Sequence, residues 1–182
     1  MRSQEYRQID FQRTHRRGAE DFHNTPTWGI ARAIKNLVEE EGPIHKDVVK
    51  RRIAGLFQVR MGSRISQKLD DAILNAEMKN GVKANGNFLW SENGKNATLR
   101  IYNGGKSKRL IEHIPLQEIA LAIIECVQNS ISISEDDLVK ETARLFGLRA
   151  TRKVSTKIKR VIRILISANK LTQKSEKILM GL

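Results

Sequence analysis

The sequence predicts a mainly α-helical α+β fold with small β wings, built as two tandem repeats. The first observation behind this prediction is a repeated block, because residues 56–60 (LFQVR) and 145–149 (LFGLR) are separated by 89 positions. The second is that three amphipathic helical periods followed by two short extended runs occur in each half of the chain. A repeat of roughly 65 residues can form its own small core, so we expect two domains.

The offset of 89 residues continues in both directions from this block without a gap. It aligns apolar positions of the helices, and it also aligns Arg60 with Arg149 and Ser66 with Ser155. A shared helical period can bring apolar residues into register by chance, whereas it does not bring matching polar residues there. We therefore interpret the chain as an internal duplication.

Composition and charge limit the classes of function. The 182-residue chain has a formal net charge of +13, which indicates a polyanionic partner. Cys126 is the only cysteine in the sequence, so neither an internal disulfide nor a cysteine zinc site is expected. No run approaches the roughly 18 apolar residues of a membrane span, and no export leader is recognisable. We therefore expect a cytoplasmic protein without membrane contact.

The first repeat begins with three predicted helices. Thr25 and Pro26 predict the start of the first helix, and Gly42 predicts its end, before a short strand. A second helix is predicted over residues 46–57 and a third over residues 62–80, each with apolar residues at helical spacing.

A hairpin follows the third helix. Residues 82–90 form two short extended runs around Asn85 and Gly86, and this dipeptide is the strongest short hairpin signal. Three helices followed by such a hairpin is the order of a winged helix-turn-helix domain, so tandem winged helix-turn-helix repeats are the predicted architecture. We place the first repeat at residues 25–102 and include in it a further strand over residues 98–102.

The second repeat, residues 113–182, follows the same plan. Pro115 opens its first helix, and Ser134 with Asp137 three residues later predicts a capping box at the start of its second helix. A third helix begins near Thr151, and a wing of similar length but with a different turn follows it.

Two segments lie outside the predicted repeats. Residues 1–24 contain five arginines with little periodicity, and we interpret them as a basic arm or as the end of a preceding domain. Residues 103–112 begin with an Asn/Gly cluster and are interpreted as a linker.

The third helix of the second repeat is strongly basic. Residues 151–163 contain six cations and no acid, and the apolar residues between them recur with a helical period. The six cations are Arg152, Lys153, Lys157, Lys159, Arg160 and Arg163. One face of this helix is therefore expected to be buried and the other to face an anion. The third helix of the first repeat is neutral, because three cations there meet three acids.

The predicted ligand is duplex DNA, bound without a metal ion or cofactor. A winged helix places its third helix in the major groove and its wing along the backbone, and phosphate contacts supply most of the affinity. The candidates in the second repeat are Arg149, Arg152, Lys153, Ser155, Thr156, Lys157, Arg160, Lys174 and Lys177. The weaker equivalents in the first repeat are Arg60, Ser63, Arg64 and Lys68. Because the outward face is mostly Lys and Arg, we expect weak sequence preference.

Three stretches resemble a known family. Residues 114–120 (IPLQEIA), 141–147 (ETARLFG) and 60–65 (RMGSRI) are similar to an uncharacterised domain near the C-terminus of very large bacterial superfamily I helicase-like proteins. The resemblance is clear over residues 112–180 and weaker over residues 28–90. It implies a DNA-binding accessory module that works with a helicase and with the restriction-endonuclease-like domain that these proteins tend to carry. The Gly-Ser-Arg turn of the pattern is intact only in the first copy.

Several other features carry no predicted chemistry. Residues 105–107 (GKS) look like the end of a phosphate-binding loop, but Arg100 stands where that pattern needs glycine. The acids of the first repeat's third helix lie on one helix, not on adjoining strands, so no nuclease centre is expected. The four histidines lack metal-ligand spacing. Trp28 and Trp90 are interpreted as core or wing-anchoring residues and not as platforms for base stacking.

The alternative from another class of function is a protein-interaction adaptor. In that case the apolar and neutral faces of one or both repeats would dock a helicase or nuclease partner. No catalytic residue is predicted, so any ATPase or nuclease activity would lie in other domains or partners. Salt-dependent binding to generic duplex favours the first interpretation, and partner binding without DNA binding favours the adaptor.

Overall fold

The structure is a computed structural model that describes residues 4–6, 8, 18–92, 97–104, 108–174 and 177–181. It divides the chain into two compact units. We call Arg7–Asn96 the N unit, and Met1–Tyr6 together with Ala97–Leu182 the C unit. Both units combine helices with a small antiparallel sheet, in agreement with the expected α+β class.

The N unit places its helices around a three-stranded antiparallel sheet. Its elements in chain order are α1 (Ala19–Asn24), α2 (Thr27–Glu41), β2 (Ile44–His45), α3 (Lys46–Leu56), α4 (Ser63–Lys79), β3 (Val82–Asn85) and β4 (Phe88–Ser91). β4 lies between β2 and β3 in the sheet. The predicted hairpin forms, but its two turn residues are Gly86, with a φ of 57°, and Asn87, because Asn85 still pairs with Phe88 as the last residue of β3.

The C unit has a short parallel pair of strands, β1 (Gln4–Glu5) and β5 (Arg100–Ile101), in addition to the repeated elements. The elements that follow are a 3₁₀ turn (Ile111–His113), α5 (Leu116–Gln128), β6 (Ile133–Ser134), α6 (Glu135–Leu145), α7 (Arg152–Ser167), β7 (Leu171–Lys174) and β8 (Lys177–Met180). Its antiparallel sheet has the order β6-β8-β7, which repeats β2-β4-β3. Ser134 caps α6 by accepting a hydrogen bond from the backbone N–H of Asp137 at 3.1 Å, as predicted.

The offset of 89 residues relates the bounds of equivalent elements in the two units. It carries α3 onto α6, β3 onto β7 and β4 onto β8 without a change of bounds. It also carries the strand pair of Ile44 with Leu89 onto the pair of Ile133 with Ile178. The register found in the sequence therefore recurs in the element bounds and in the strand pairing.

Each unit has its own hydrophobic core, formed where the apolar stripes of the helices meet the sheet. Fully buried members of the N unit's core include Phe22, Ile34, Ile53 and Leu89. Fully buried members of the C unit's core include Ile119, Leu138, Ile158 and Ile178. Because burying one such side chain contributes about 1.5–3 kcal/mol, these stripes decide which face each helix turns outward.

Residues 98–102 belong to the C unit and not to the first repeat, where the sequence analysis placed them. Leu99 is buried in the C unit's core. Arg100 donates to the fully buried carboxylate of Glu118 from its backbone N–H at 3.0 Å and from Nη2 at 2.7 Å. Arg109 donates to the same carboxylate through Nη1 at 2.8 Å and Nη2 at 2.7 Å. A buried carboxylate needs such partners, and they fix this segment in the C unit.

The predicted arm and linker are also partly built into the two units. β1, from the arm, pairs with β5, and Phe22 of α1 is fully buried in the N unit. Ile111, from the predicted linker, is buried in the C unit. Phe22 is a single apolar residue among polar ones and β1 contains no apolar residue, so hydrophobic periodicity does not reveal these two anchors. The parts of the chain outside the described residues are 1–3, 7, 9–17, 93–96, 105–107, 175–176 and 182.

Candidate nucleic-acid interface

Helix α7 is amphipathic, as its periodicity predicts. Its buried side chains are Val154, Ile158, Val161, Ile162 and Leu165. Its exposed side chains are Arg152, Lys153, Thr156, Arg160, Arg163, Ile164 and Ser167. At 3.6 residues per turn these two sets lie on opposite sides of the helix. The exposed side therefore presents mainly cations to solvent.

Lys157 lies at the margin of this face and not on it, which differs from the sequence-based prediction. Its Nζ donates to the backbone carbonyls of Ile111 at 2.7 Å and Ile114 at 2.8 Å. Burial lowers the pKa of Lys157 from its ordinary 10.5 to about 8, and the neighbouring charge of Arg160 acts in the same direction. The ammonium group is held by the segment that precedes α5, which leaves at most one of its three N–H donors for a ligand.

Lys68 is held in the same way in the N unit. Its Nζ donates to the carbonyls of Phe22 at 2.8 Å and His23 at 3.0 Å, and it lies 5.1 Å from the centroid of the Phe22 ring. Lys68 and Lys157 are equivalent under the 89-residue offset, so both units use this lysine to bind the segment in front of their first repeated helix.

The other two lysines of α7 pair with acids of the C unit. Lys153 forms an ion pair with Glu112, although 70% of its side chain stays exposed. Lys159 contacts Asp136 at 2.8 Å and Glu135 at 3.0 Å. The hydrogen bond from Lys159 lowers the pKa of Asp136, and the bond to Asp136 raises the pKa of Lys159. All three lysines of the helix therefore have partners within the protein.

The arginines of this region are different. Arg149, Arg152, Arg160 and Arg163 are all exposed, and we call them the arginine face. Across the part of the chain that the structure describes, no carboxylate lies within ion-pair distance of any of the four. The open charge beside and along α7 is therefore carried by guanidinium groups.

The two predicted hydroxyl donors are already used inside the protein. Thr156 donates to the carbonyl of Arg152 at 2.8 Å, and Ser155 donates to the carbonyl of Ala150 at 3.3 Å. Thr156 is exposed, so its hydroxyl oxygen can still accept a hydrogen bond. Ser155 is half-buried and contributes less to the exposed face.

The β7–β8 hairpin carries a pair of like charges. Lys174 and Lys177 are exposed and lie directly opposite each other across the two strands. Like charges in this position destabilise a hairpin, so a nearby anion would stabilise it. The equivalent pair in the N unit is Asn85 with Phe88. The basic hairpin is therefore a property of the C unit.

The equivalent face of the N unit is less cationic than the arginine face. Arg60, Ser63 and Arg64 are exposed at the start of α4, as predicted. Further along the helix, Asp71 and Leu74 occupy the positions of Arg160 and Arg163. The other acids of α4 are paired within the N unit, because Lys50 binds Asp70 at 2.6 Å and Lys46 binds Glu77 at 3.0 Å.

Sequence reasoning missed an apolar strip on α4. Leu74 is 57% exposed and Met78 is 71% exposed, one helical turn apart. Their equivalents in the C unit are Arg163 and Ser167. Comparing the outward positions of the two copies, and not only their charges, would have found this strip.

Trp28 does not lie in a core, although the sequence analysis placed it in the core or against the wing. It is 65% exposed because it is the second residue of α2, before the buried stripe of that helix begins at Ile30. Trp90 is half-buried on β4, which fits its predicted role in the hairpin. None of the described helices is long and apolar enough to cross a membrane.

Comparison with known proteins gives one match. A family model described as a protein of unknown function (DUF3320) matches residues 20–67, which run from α1 into the first turns of α4. The match thus falls on the first copy, whereas the sequence resemblance was clearer in the second. A search of curated proteins and a search of solved structures found no match to this chain.

Proposed function

We propose that this chain is a noncatalytic nucleic-acid-binding module whose C unit holds duplex DNA with weak sequence specificity. The observation that carries the proposal is the arginine face, which stays exposed while every lysine of α7 has a partner. A patch of unpaired guanidinium groups favours a polyanion, because each phosphate replaces solvent as its partner. The formal charge of +13 adds long-range attraction.

The geometry of binding follows if each unit is a winged helix-turn-helix. The order of one helix, a strand, two helices and a hairpin supports this assignment, as does the position of the last strand in the middle of each sheet. In that fold the third helix enters the major groove. At about 1.5 Å per residue, Arg152 and Arg163 are separated by about 16 Å along α7, slightly more than the groove width of about 12 Å.

Phosphate contacts supply most of the affinity in this proposal. The cations available to DNA are Arg149, Arg152, Arg160, Arg163, Lys174 and Lys177. Lys153 can join it, because an exposed ion pair such as that with Glu112 is worth only about 0–1 kcal/mol. Lys157 and Lys68 are left out, since the carbonyls that they bind would lose their partners.

The same proposal places the chain beside a helicase or nuclease. Its support is the resemblance to helicase-associated domains together with the family match over residues 20–67. ATPase or nuclease activity would then belong to other domains or to a partner. The chain itself would hold DNA for them.

Fluorescence anisotropy with labelled duplex, forked and single-stranded DNA tests the proposal. The full chain is expected to bind duplex at about 50 mM salt and to lose affinity steeply by about 200 mM. The variant R152E/R160E is expected to bind at least about tenfold more weakly, because it replaces two cations of the arginine face by acids and so repels the polyanion. The control R32E/K79E changes the net charge equally at two exposed positions of the N unit and is expected to bind nearly normally. Equal binding by wild type and R152E/R160E would refute the proposal.

The adaptor function is a second candidate, favoured by the exposed pair Leu74 and Met78. An apolar strip in place of cations suits protein contact better than phosphate contact. The test is co-purification of the chain with a co-expressed superfamily I helicase-like protein. Complex formation that is lost in L74E/M78E, survives R152E/R160E and occurs without binding to any DNA would favour the adaptor.

A further inference from the structure

The side chains that α7 exposes have a restricted chemistry. Its exposed residues are Arg152, Lys153, Thr156, Arg160, Arg163, Ile164 and Ser167. This set contains no Asn or Gln, which read adenine, and no Asp or Glu, which accept from cytosine. Every cation of this set that lacks an ion-pair partner is an arginine, because the one lysine, Lys153, pairs with Glu112. Arginine is the side chain whose planar fork matches two adjacent acceptors.

The positions of two arginines suit base contact. In helix-turn-helix proteins the N-terminal part of the recognition helix reaches the base edges. Arg152 is the first residue of α7 and Arg160 follows two turns later, with Thr156 between them. At 3.6 residues per turn, all three lie within about 45° of the direction opposite to the buried stripe. They therefore point toward the floor of any groove that α7 enters.

Other cations are placed to hold the backbone. Arg149 precedes α7, and Arg163 lies beyond Arg160, closer to the C-terminal end of the helix. Lys174 and Lys177 lie on the hairpin. Contacts at both ends of a helix and from a wing fix its depth and orientation in the groove. Arg152 and Arg160 are then free to contact bases, because the phosphates have other partners.

From this arrangement we infer that the sequence preference of the module, although weak, is for guanine in the major groove, read by Arg152 and Arg160. The inference rests on the proposed function. Guanine offers the two acceptors O6 and N7 side by side, which the guanidinium fork matches, whereas adenine presents a donor beside its N7. Thr156 adds contact with a neighbouring base but no discrimination of its own.

The test measures the affinity of the full chain for three duplexes of equal length and equal flanks. Their cores are alternating G·C, alternating A·T, and G·C in which 7-deazaguanine replaces guanine. The modified base pairs normally but has C–H in place of N7, so only the major groove changes. Wild type is expected to bind the G·C core at least about fivefold more tightly than the other two.

A pair of charge-matched variants separates base reading from phosphate binding. R152Q/R160Q is expected to lose the preference for guanine. K174Q/K177Q removes the same charge from the hairpin and is expected to bind all three duplexes more weakly while keeping the preference. Equal affinity of wild type for all three duplexes, with salt-dependent binding retained, would refute guanine reading and leave the proposed function standing. A preference that survives R152Q/R160Q would also refute it. No binding to any duplex at low salt would overturn both.

Discussion

At the scale of single residues, the clearest case is the lysine shared by the two units. Lys68 and Lys157 each donate to two backbone carbonyls of the segment in front of the first repeated helix. Such carbonyls are costly to bury without a donor, at about 1–3 kcal/mol each. A lysine that the sequence predicts as a DNA contact therefore stabilises the fold of its unit through these hydrogen bonds. This shared structural role also explains why the position is a lysine in both units.

We expect the C unit to gain stability above pH 8 because of Lys157. Its pKa is lowered to about 8 in the folded protein and is near 10.5 in the unfolded chain. Between these values the unfolded chain binds the additional proton, so the free energy of unfolding rises with pH. The neutral amine of Lys157 keeps two N–H donors, so loss of the proton does not break its hydrogen bonds to the two carbonyls.

Urea denaturation followed by circular dichroism between pH 7 and 10 measures this effect as the difference between wild type and K157M. From pH 7 to 10 the free energy of unfolding of wild type should rise relative to that of K157M by about 1 kcal/mol. This value is reduced to allow for the partial exposure of Lys157. A difference that stays constant with pH would contradict the lowered pKa.

Glu118 is a second residue whose role the sequence did not reveal. Burial raises its pKa, but the hydrogen bonds and charges of Arg109 and Arg100 lower it further, so the pKa lies below the ordinary 4.5. Its stabilising effect is therefore present above pH 4.5 and is lost as the pH falls through the lower folded value. The equivalent residue of the N unit is Gly29, so this ion cluster belongs to the C unit alone.

Replacement of Glu118 by Gln is expected to lower the free energy of unfolding by about 3 kcal/mol, because two nearly buried arginines lose their counter-charge. The matched control is E112Q, which breaks the exposed pair with Lys153 and should cost less than about 1 kcal/mol. Urea midpoints of the two variants at pH 7 make the comparison. Similar midpoints would show that the buried cluster contributes little.

At the scale of elements, α3 and α6 end in the same way. In α6 the N–H of Leu148 donates to Ala143 at 2.9 Å and the N–H of Gly147 donates to Arg144 at 2.9 Å. This pattern is a Schellman motif, which needs a left-handed residue after the helix. That residue is Gly147 with φ of 67° in the C unit and Gln58 with φ of 54° in the N unit. The left-handed position after the helix is therefore a glycine in the C unit and a glutamine in the N unit.

The two positions should respond in opposite directions to substitution. G147A is expected to destabilise the protein by more than about 2 kcal/mol, since it adds left-handed strain and places Cβ 2.2 Å from the Tyr102 ring. Q58G relieves the same strain and should stabilise by up to about 1 kcal/mol. Thermal unfolding of both variants tests this pair. Stabilisation by G147A would contradict the assigned turn.

At the scale of the whole molecule, the two units share one order of helices and strands but differ in their outward faces. The C unit combines the arginine face with a basic hairpin, while the N unit has Asp71, Leu74 and Met78 at positions equivalent to Arg160, Arg163 and Ser167. The cores of the two units keep matching apolar positions. Packing requires apolar residues at the core positions of both units, whereas it leaves the residue types at the outward positions open.

This asymmetry predicts unequal effects on the salt dependence of DNA binding. The slope of log affinity against log salt counts neutralised phosphates, at about 0.9 per contact. K174Q/K177Q is expected to reduce the slope by about 2, while R60Q/R64Q, with the same loss of charge in the N unit, should reduce it by less than about 1. Anisotropy titrations at several salt concentrations give these slopes. Equal reductions would mean that both units bind DNA alike.

Much of the fold could be predicted because its signals are local. Helical periods, the cap at Ser134 and the hairpin over residues 82–90 each depend on residues close in sequence, and the structure confirms all three. The boundary between the units was wrong because Arg100 is fixed by Glu118, 18 residues away. Such a contact leaves no periodic trace in the chain.

By itself, therefore, the sequence determined the duplication, the order of elements and the buried stripe of α7, since these follow from spacing along one chain. Only the tertiary structure decided which cations stay open. Lys157 reaches the carbonyl of Ile111, 46 residues away, and Lys159 reaches Asp136, 23 residues away. A charge is neutralised or left free by what packs beside it, and that neighbour is set by the fold and not by the local sequence.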